Sequence, residues 1–166
     1  LVALLDSAVV PMEVFGVEAA RETLGHRVHA PETFDVTTAA NYGVDLADRG
    51  VLIDPDERRR ILDASAAELA DEAGCRVHPD DALVAEHVEL VEYPGLLRGA
   101  IDPEYLELPP EVVVTTLRYH QKCLILENED GSLAPQFLTV IDRRDDPEGL
   151  VRQGNEWVIG ARLADA

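Results

Sequence analysis

The sequence predicts an α+β fold, a mixed and largely antiparallel sheet built from hairpins and packed with amphipathic helices. Three observations predict it. Short Val- and Leu-rich runs flank polar turns, as hairpins require. Between them lie segments with apolar residues at 3.6-residue spacing and recognisable helix starts. The two kinds alternate without the strand–helix–strand cadence of a parallel sheet. No internal repeat or low-complexity linker interrupts the 166 residues, so 1–166 reads as one domain with length for a sizeable core.

The elements follow in order. Leu1 to Leu5, a turn at Asp6-Ser7 and Ala8 to Val17 read as a hairpin, with Pro11 at an edge or bulge because it cannot donate to a ladder. Beginning on a hydrophobic strand suggests a chain cut inside a sheet. Ala19 to Pro31 is polar, an exposed loop or strand whose Arg and His side chains bond the backbone. Glu32 to Tyr42 reads as a strand and turn, Asn41 to Arg49 as a short helix ended by Gly50, and Val51 to Ile53 as a buried strand. Asp54-Pro55-Asp56-Glu57 is a strong helix start: Asp54 caps, Pro55 sits at N1 and Glu57 at N3. Ile61, Leu62, Ala66, Leu69, Ala70 and Ala73 supply that helix's apolar face, and Gly74 ends it.

Asp80 and Asp81 cap the next helix, whose face is Leu83, Val84, His87, Leu90 and Val91, with Pro94 and Gly95 ending it. A strand follows. Pro109 and Pro110 start a further helix with a stripe of Val113, Val114 and Leu117. Its last turn delivers His120, Gln121 and Lys122, and Cys123 to Leu126 is a short strand. Asp130-Gly131 turns a hairpin into Pro135 to Ile141. Asp146-Pro147 starts a helix that Gly154-Asn155 should break, with Asn155 capping a final helix carrying Trp157, Val158, Ala161 and Leu163.

Composition excludes several classes. No apolar run approaches the ~18–20 residues needed to cross a bilayer, so the reading is a cytoplasmic protein with no membrane partner. Two distant cysteines make no disulfide framework. The net charge of −19 opposes a large polyanion-binding surface, and of the 14 basic residues only Lys122 is lysine. Arg58, Arg59 and Arg60 form a basic run that is either a solvated face or the best local phosphate contact. His26 and His29, and the Cys75-x-x-His78 pair, have ligand-like spacing, but neither supplies the three or four ligands of a metal site. His87, on an apolar face, reads as a satisfied core histidine. Phosphate-cradling glycine loops and nucleophile elbows are lacking, and the expectation is no catalytic constellation, metal or cofactor held by this chain itself.

A set of motifs carries a family resemblance. Leu90-Val91-Glu92-Tyr93-Pro94, Leu108-Pro109-x-Glu111-Val112, and Thr116 to Lys122 closing in His-Gln-Lys stand at the centre. Thr23-Leu24-Gly25-His26-Arg27-Val28-His29-Ala30-Pro31 stands toward the start. Gly154-Asn155-Glu156 and Ala161-Arg162-Leu163-Ala164-Asp165-Ala166 stand at the end. In that order and spacing they resemble the beta subunit of the bacterial heterotetrameric glycyl-tRNA synthetase. The resemblance departs at Cys123-Leu124, where the family has an aromatic pair, and at Tyr93, which replaces a tryptophan. It implies an internal piece of a longer subunit truncated at both ends, with a fold like the B3/B4-type domain of the phenylalanyl enzyme.

The implied role is tRNA binding and subunit assembly for glycylation of tRNA(Gly), with ATP and magnesium handled by the alpha subunit. The implied partners are that alpha subunit, tRNA(Gly) and the rest of the beta subunit. The residues carried over are His26, Arg27, Arg118, His120, Gln121, Lys122, Asn155, Glu156 and Arg162. They are read either as tRNA or interface contacts or as an internal hydrogen-bond network. A bracing module without RNA contact, and a hydrolytic domain acting on mischarged tRNA, are the alternatives.

Overall fold

The computed structural model describes residues 1–166, which divide into two compact units, Leu1–Pro55 and Asp56–Ala166. The architecture is α+β, and every ladder is antiparallel; one isolated parallel bridge joins Val2 and Ala20.

Unit 1 is a series of short hairpins. β1 (Leu4–Leu5) pairs with β2 (Ala8–Val9) across Asp6-Ser7, as the turn chemistry predicts. The second strand does not continue to Val17. It stops before Pro11, and a separate hairpin forms from β3 (Glu13–Val14) and β4 (Val17–Glu18). A proline without an N–H ends the first ladder and lets the chain start another. β5 (Glu22–Leu24) pairs with β6 (Thr33–Asp35), so the polar stretch after Ala19 is half strand. Arg21 staples this region by donating to the carbonyls of Ser7, Val36 and Thr37. After a 3₁₀ turn, α1 (Tyr42–Ala47) ends near Gly50, whose φ of 78° suits glycine. The predicted strand at Val51 to Ile53 is absent: the segment is irregular, with Leu52 buried and Ile53 half exposed. Val51 N–H bonds back to the Leu46 carbonyl, so the segment closes the end of α1 instead of joining a ladder.

Unit 2 has three layers. α2 (Pro55–Glu72) starts at the predicted proline, and buries Leu62, Ala66 and Ala70. Its basic run is structural in part, since Arg58 donates to the Val88 carbonyl and Arg59 bridges Asp63 and Asp81. After β7 (Arg76–Val77), α3 (Asp81–Leu90) is capped by Asp80, whose Oδ1 accepts from Leu83 N at 2.9 Å. Its buried face is Leu83, Val84, His87 and Val88; the predicted Leu90 is exposed because the helix ends there. Pro94 and Gly95 do not end that helix. They open β8 (Pro94–Ala100), where proline is tolerated as the first residue.

α4 (Pro110–Val114) begins at the predicted proline pair and widens into a π-helical turn, Thr115–His120. β9 (Leu124–Glu127) and β10 (Leu133–Asp142) form the hairpin turned by Asp130-Gly131. Asp130 stabilises that turn by accepting from the N–H and hydroxyl of Ser132. The sheet order is β7-β9-β10-β8. Alternation along the strands sends Leu124, Leu126 and Leu138 to the α2/α3 side and Cys123, Ile125 and Phe137 to the other. Phe137 stands opposite Gly99 in the β8 ladder, and its ring occupies the space a Cβ at Gly99 would need.

α5 (Leu150–Ala164) covers that second face with Ile159 and Leu163. It starts later than Asp146-Pro147 predicts, because Gly149 takes a left-handed φ of 68°; Asp146 still serves the start by accepting from Val151 and Arg152 N–H. Nor does Gly154-Asn155 break it. Asn155 donates back to the Val151 carbonyl inside one continuous helix, and Trp157 points outward, 74% exposed. Packing of an i, i+4 apolar pair outweighs the weak local preference of one glycine.

Candidate functional site

The π-helical turn is the centre of the candidate site. Gln121 N–H reaches back to the Thr116 carbonyl and Cys123 N–H to that of Leu117, widening the end of α4. The chain then passes through Lys122 at φ 56°, a conformation that a non-glycine side chain adopts only at a cost. Contacts to α3 hold it. His87 Nε2–H donates to the Lys122 carbonyl at 2.7 Å, and Lys122 Nζ pairs with Glu86 at 3.0 Å. Burial holds the His87 imidazole below its ordinary titration range, partly opposed by that hydrogen bond, so the ring is a neutral core donor as its helix position predicts.

Arg118 lies one turn earlier. Its Nε donates to Asp80 Oδ2 at 2.7 Å and its Nη2 to Asp80 Oδ1 at 3.2 Å, and both side chains are more than four-fifths buried. One carboxylate thus caps α3 and clamps the π turn. Arg118 is turned onto the capping acid of α3 in a largely buried pair, whereas Lys122 meets Glu86 of α3 in a pair that stays about two-fifths exposed. The acids escaped sequence analysis as partners: Asp80 was legible only as a cap, and Glu86 carried no local signal. Their separations of 38 and 36 residues carry no spacing rule.

The remaining predicted residues fall elsewhere. In unit 1, His26 is buried and its Nδ1 accepts from the N–H groups of Val28 and His29, while Arg27 is exposed. The His26 and His29 rings lie 4.7 Å apart, and the His26 backbone N–H donates to the Arg49 carbonyl. On α5, Glu156 Oε1 accepts from Ala100 N–H at 3.0 Å and from Arg152, tying the helix to the end of β8. Asn155 is spent within the helix.

Two candidates remain open to solvent together. His120 and Arg162 line a shallow depression of about 490 Å³ with Glu111, Val112, Thr115, Thr116, Asp165 and Ala166. Both are exposed, and Gln121 beside them is half-buried. An imidazole and a guanidinium on one rim can receive an anionic oxygen, but Glu111 and Asp165 offset their charge.

His78 and Cys75 do not converge. His78 Nδ1 meets Glu127 Oε1 at 2.6 Å, and Cys75 Sγ faces the Ala73 carbonyl. The hydrogen bond from His78, with Arg76 beside it, holds the Glu127 carboxyl below its usual range.

Comparison with known proteins bears on the whole chain. Residues 1–166 match the family described as glycyl-tRNA synthetase beta subunit. The glycine–tRNA ligase beta subunit of Moorella thermoacetica is 43% identical over 100% of this chain and 24% of its own length. That of Syntrophotalea carbinolica is 38% identical with the same coverage, and that of Nitratidesulfovibrio vulgaris 43% identical over 99% of this chain. The chain spans about a quarter of the length of these relatives. No helix is long and apolar enough to cross a membrane.

Proposed function

Because the chain belongs to the glycyl-tRNA synthetase beta subunit family, we propose that it braces a glycine–tRNA ligase beta subunit for assembly and for positioning tRNA(Gly) during ATP-dependent glycylation. The observation that carries this reading is the double clamp of the π turn on α3. Arg118–Asp80 is largely buried and Lys122–Glu86 partly exposed, so both cations already have acid partners within the fold. A net charge of −19 points the same way, because a polyanion gains nothing from such a surface. In this reading the alpha subunit is the assembly partner and handles ATP and magnesium, and no residue of this segment is assigned to either.

A second reading has its own observation. His120 and Arg162 are exposed on one depression, so a local contact with tRNA or with the alpha subunit belongs there rather than at Arg118.

The experiment uses the full-length beta subunit copurified with an alpha subunit. Arg118→Ala with Lys122→Ala should lower the melting temperature while the folded protein keeps its tRNA affinity and glycylation. Loss of affinity at unchanged melting temperature would overturn the bracing role. His120→Ala with Arg162→Ala tests the second reading: a fall of roughly fivefold or more in tRNA or alpha-subunit affinity, without a change in stability, supports it.

A further inference from the structure

The β3–β4 hairpin has a composition its own conformation does not favour. Phe15 and Gly16 form a two-residue loop with φ values of 52° and 80°, the pattern of a type I′ turn, in which Asn-Gly is preferred and a bulky aromatic is costly. The Phe15 side chain is fully exposed, at 102%. Glu13 and Glu18 stand directly opposite each other in the ladder, where like charges repel. Val14 and Val17 pair on the other face and continue to Met12, and each of the three is more than a third exposed. A two-residue ladder of this kind is marginal by itself.

Both oddities are resolved by one kind of partner. An apolar pocket would take the Phe15 ring with the Met12–Val14–Val17 strip, and an arginine or lysine at its rim would bridge the facing carboxylates of Glu13 and Glu18. The same two carboxylates disfavour a nucleic acid as occupant. About three quarters of the relatives' length lies outside the matched segment, and in a chain of that length a tethered partner stands at high effective concentration.

We propose that the hairpin Glu13–Glu18 is a docking element that inserts Phe15 into a basic-rimmed apolar pocket on the remainder of the same subunit. The segment is thereby anchored through an aromatic hot spot, independently of the α3 clamp and of any contact with tRNA.

The test uses the full-length subunit, with and without tRNA. A photo-reactive benzoylphenylalanine replaces Phe15, and isotope-labelled and unlabelled copies are mixed to separate links within one chain from links between chains. A link to the same chain outside residues 1–166 supports the proposal. A link to a second copy, to another protein, to tRNA or within 1–166 overturns it, and so does the absence of any link. Phe15→Asn and Glu13→Lys provide a sign test, since each improves the hairpin taken alone. Docking predicts that amide exchange at residues 13–18 speeds up by roughly tenfold or more in either variant; unchanged or slower exchange would overturn it.

Discussion

Arg118 and Asp80 form a two-pronged ion pair whose acid also caps a helix: the carboxylate takes Nε at 2.7 Å, Nη2 at 3.2 Å and the Leu83 N–H at 2.9 Å. The cap holds the start of α3, and the guanidinium ties that start to the π turn. Removing Arg118 leaves a mostly buried carboxylate with part of its hydrogen bonding. Arg118→Ala should cost roughly 1–3 kcal/mol in chemical denaturation, between the worth of exposed and buried pairs. Asp80→Asn keeps a capping oxygen and loses the charge. A double-mutant cycle should show coupling of about 1 kcal/mol or more. Additive effects would mean that the pair contributes nothing to the clamp.

His87 should make the protein acid-sensitive. Its folded-state pKa lies below the ordinary value of 6.5 because burial disfavours the imidazolium. The unfolded chain therefore takes up the proton first, so this contribution is full above that value and is lost as pH falls toward the folded pKa. His87→Gln, which retains an N–H donor, should flatten the fall of the denaturation midpoint as pH drops below about 6.5 relative to the parent. An identical pH slope in both proteins would sink this account.

Gly99 is the close-approach position of the sheet. A Cβ there would overlap the Phe137 ring, so Gly99→Ala should cost about 1–3 kcal/mol through overpacking. Adding Phe137→Leu should recover part of that loss by vacating the space. If the alanine variant melts with the parent, the ring is free to move aside.

The two cysteines should react differently. Cys123 is fully buried, and burial pushes its thiol up to about 12, whereas Cys75 is half-buried. At pH 8 a thiol reagent should label Cys75 in the native state, and Cys123 only on unfolding. Equal native labelling would show that β9 opens readily.

What the sequence by itself determined is local or cumulative. The cap at Asp80, the start of α2 at Pro55, the turn at Asp130-Gly131 and the proline-led start of α4 are encoded within four or five residues, and the structure keeps each. His87 was legible as a core residue from helical spacing alone. The family was legible because six short motifs kept their order, which no single element could supply. Local rules failed where packing had the larger stake. Ile159 and Leu163 carry α5 through Gly154-Asn155, and Leu52 is buried without becoming a strand.

Only the tertiary structure decided the roles of the charged residues. Arg118 and Lys122 look alike in sequence to His120 and Arg162, polar residues at helix ends. Folding brings Asp80 and Glu86 to the first pair across 38 and 36 residues and leaves the second pair on an open rim. A side chain's worth depends on what shares its low-dielectric surroundings. That neighbour is chosen by the packing of helix on sheet, for which chain spacing has no code.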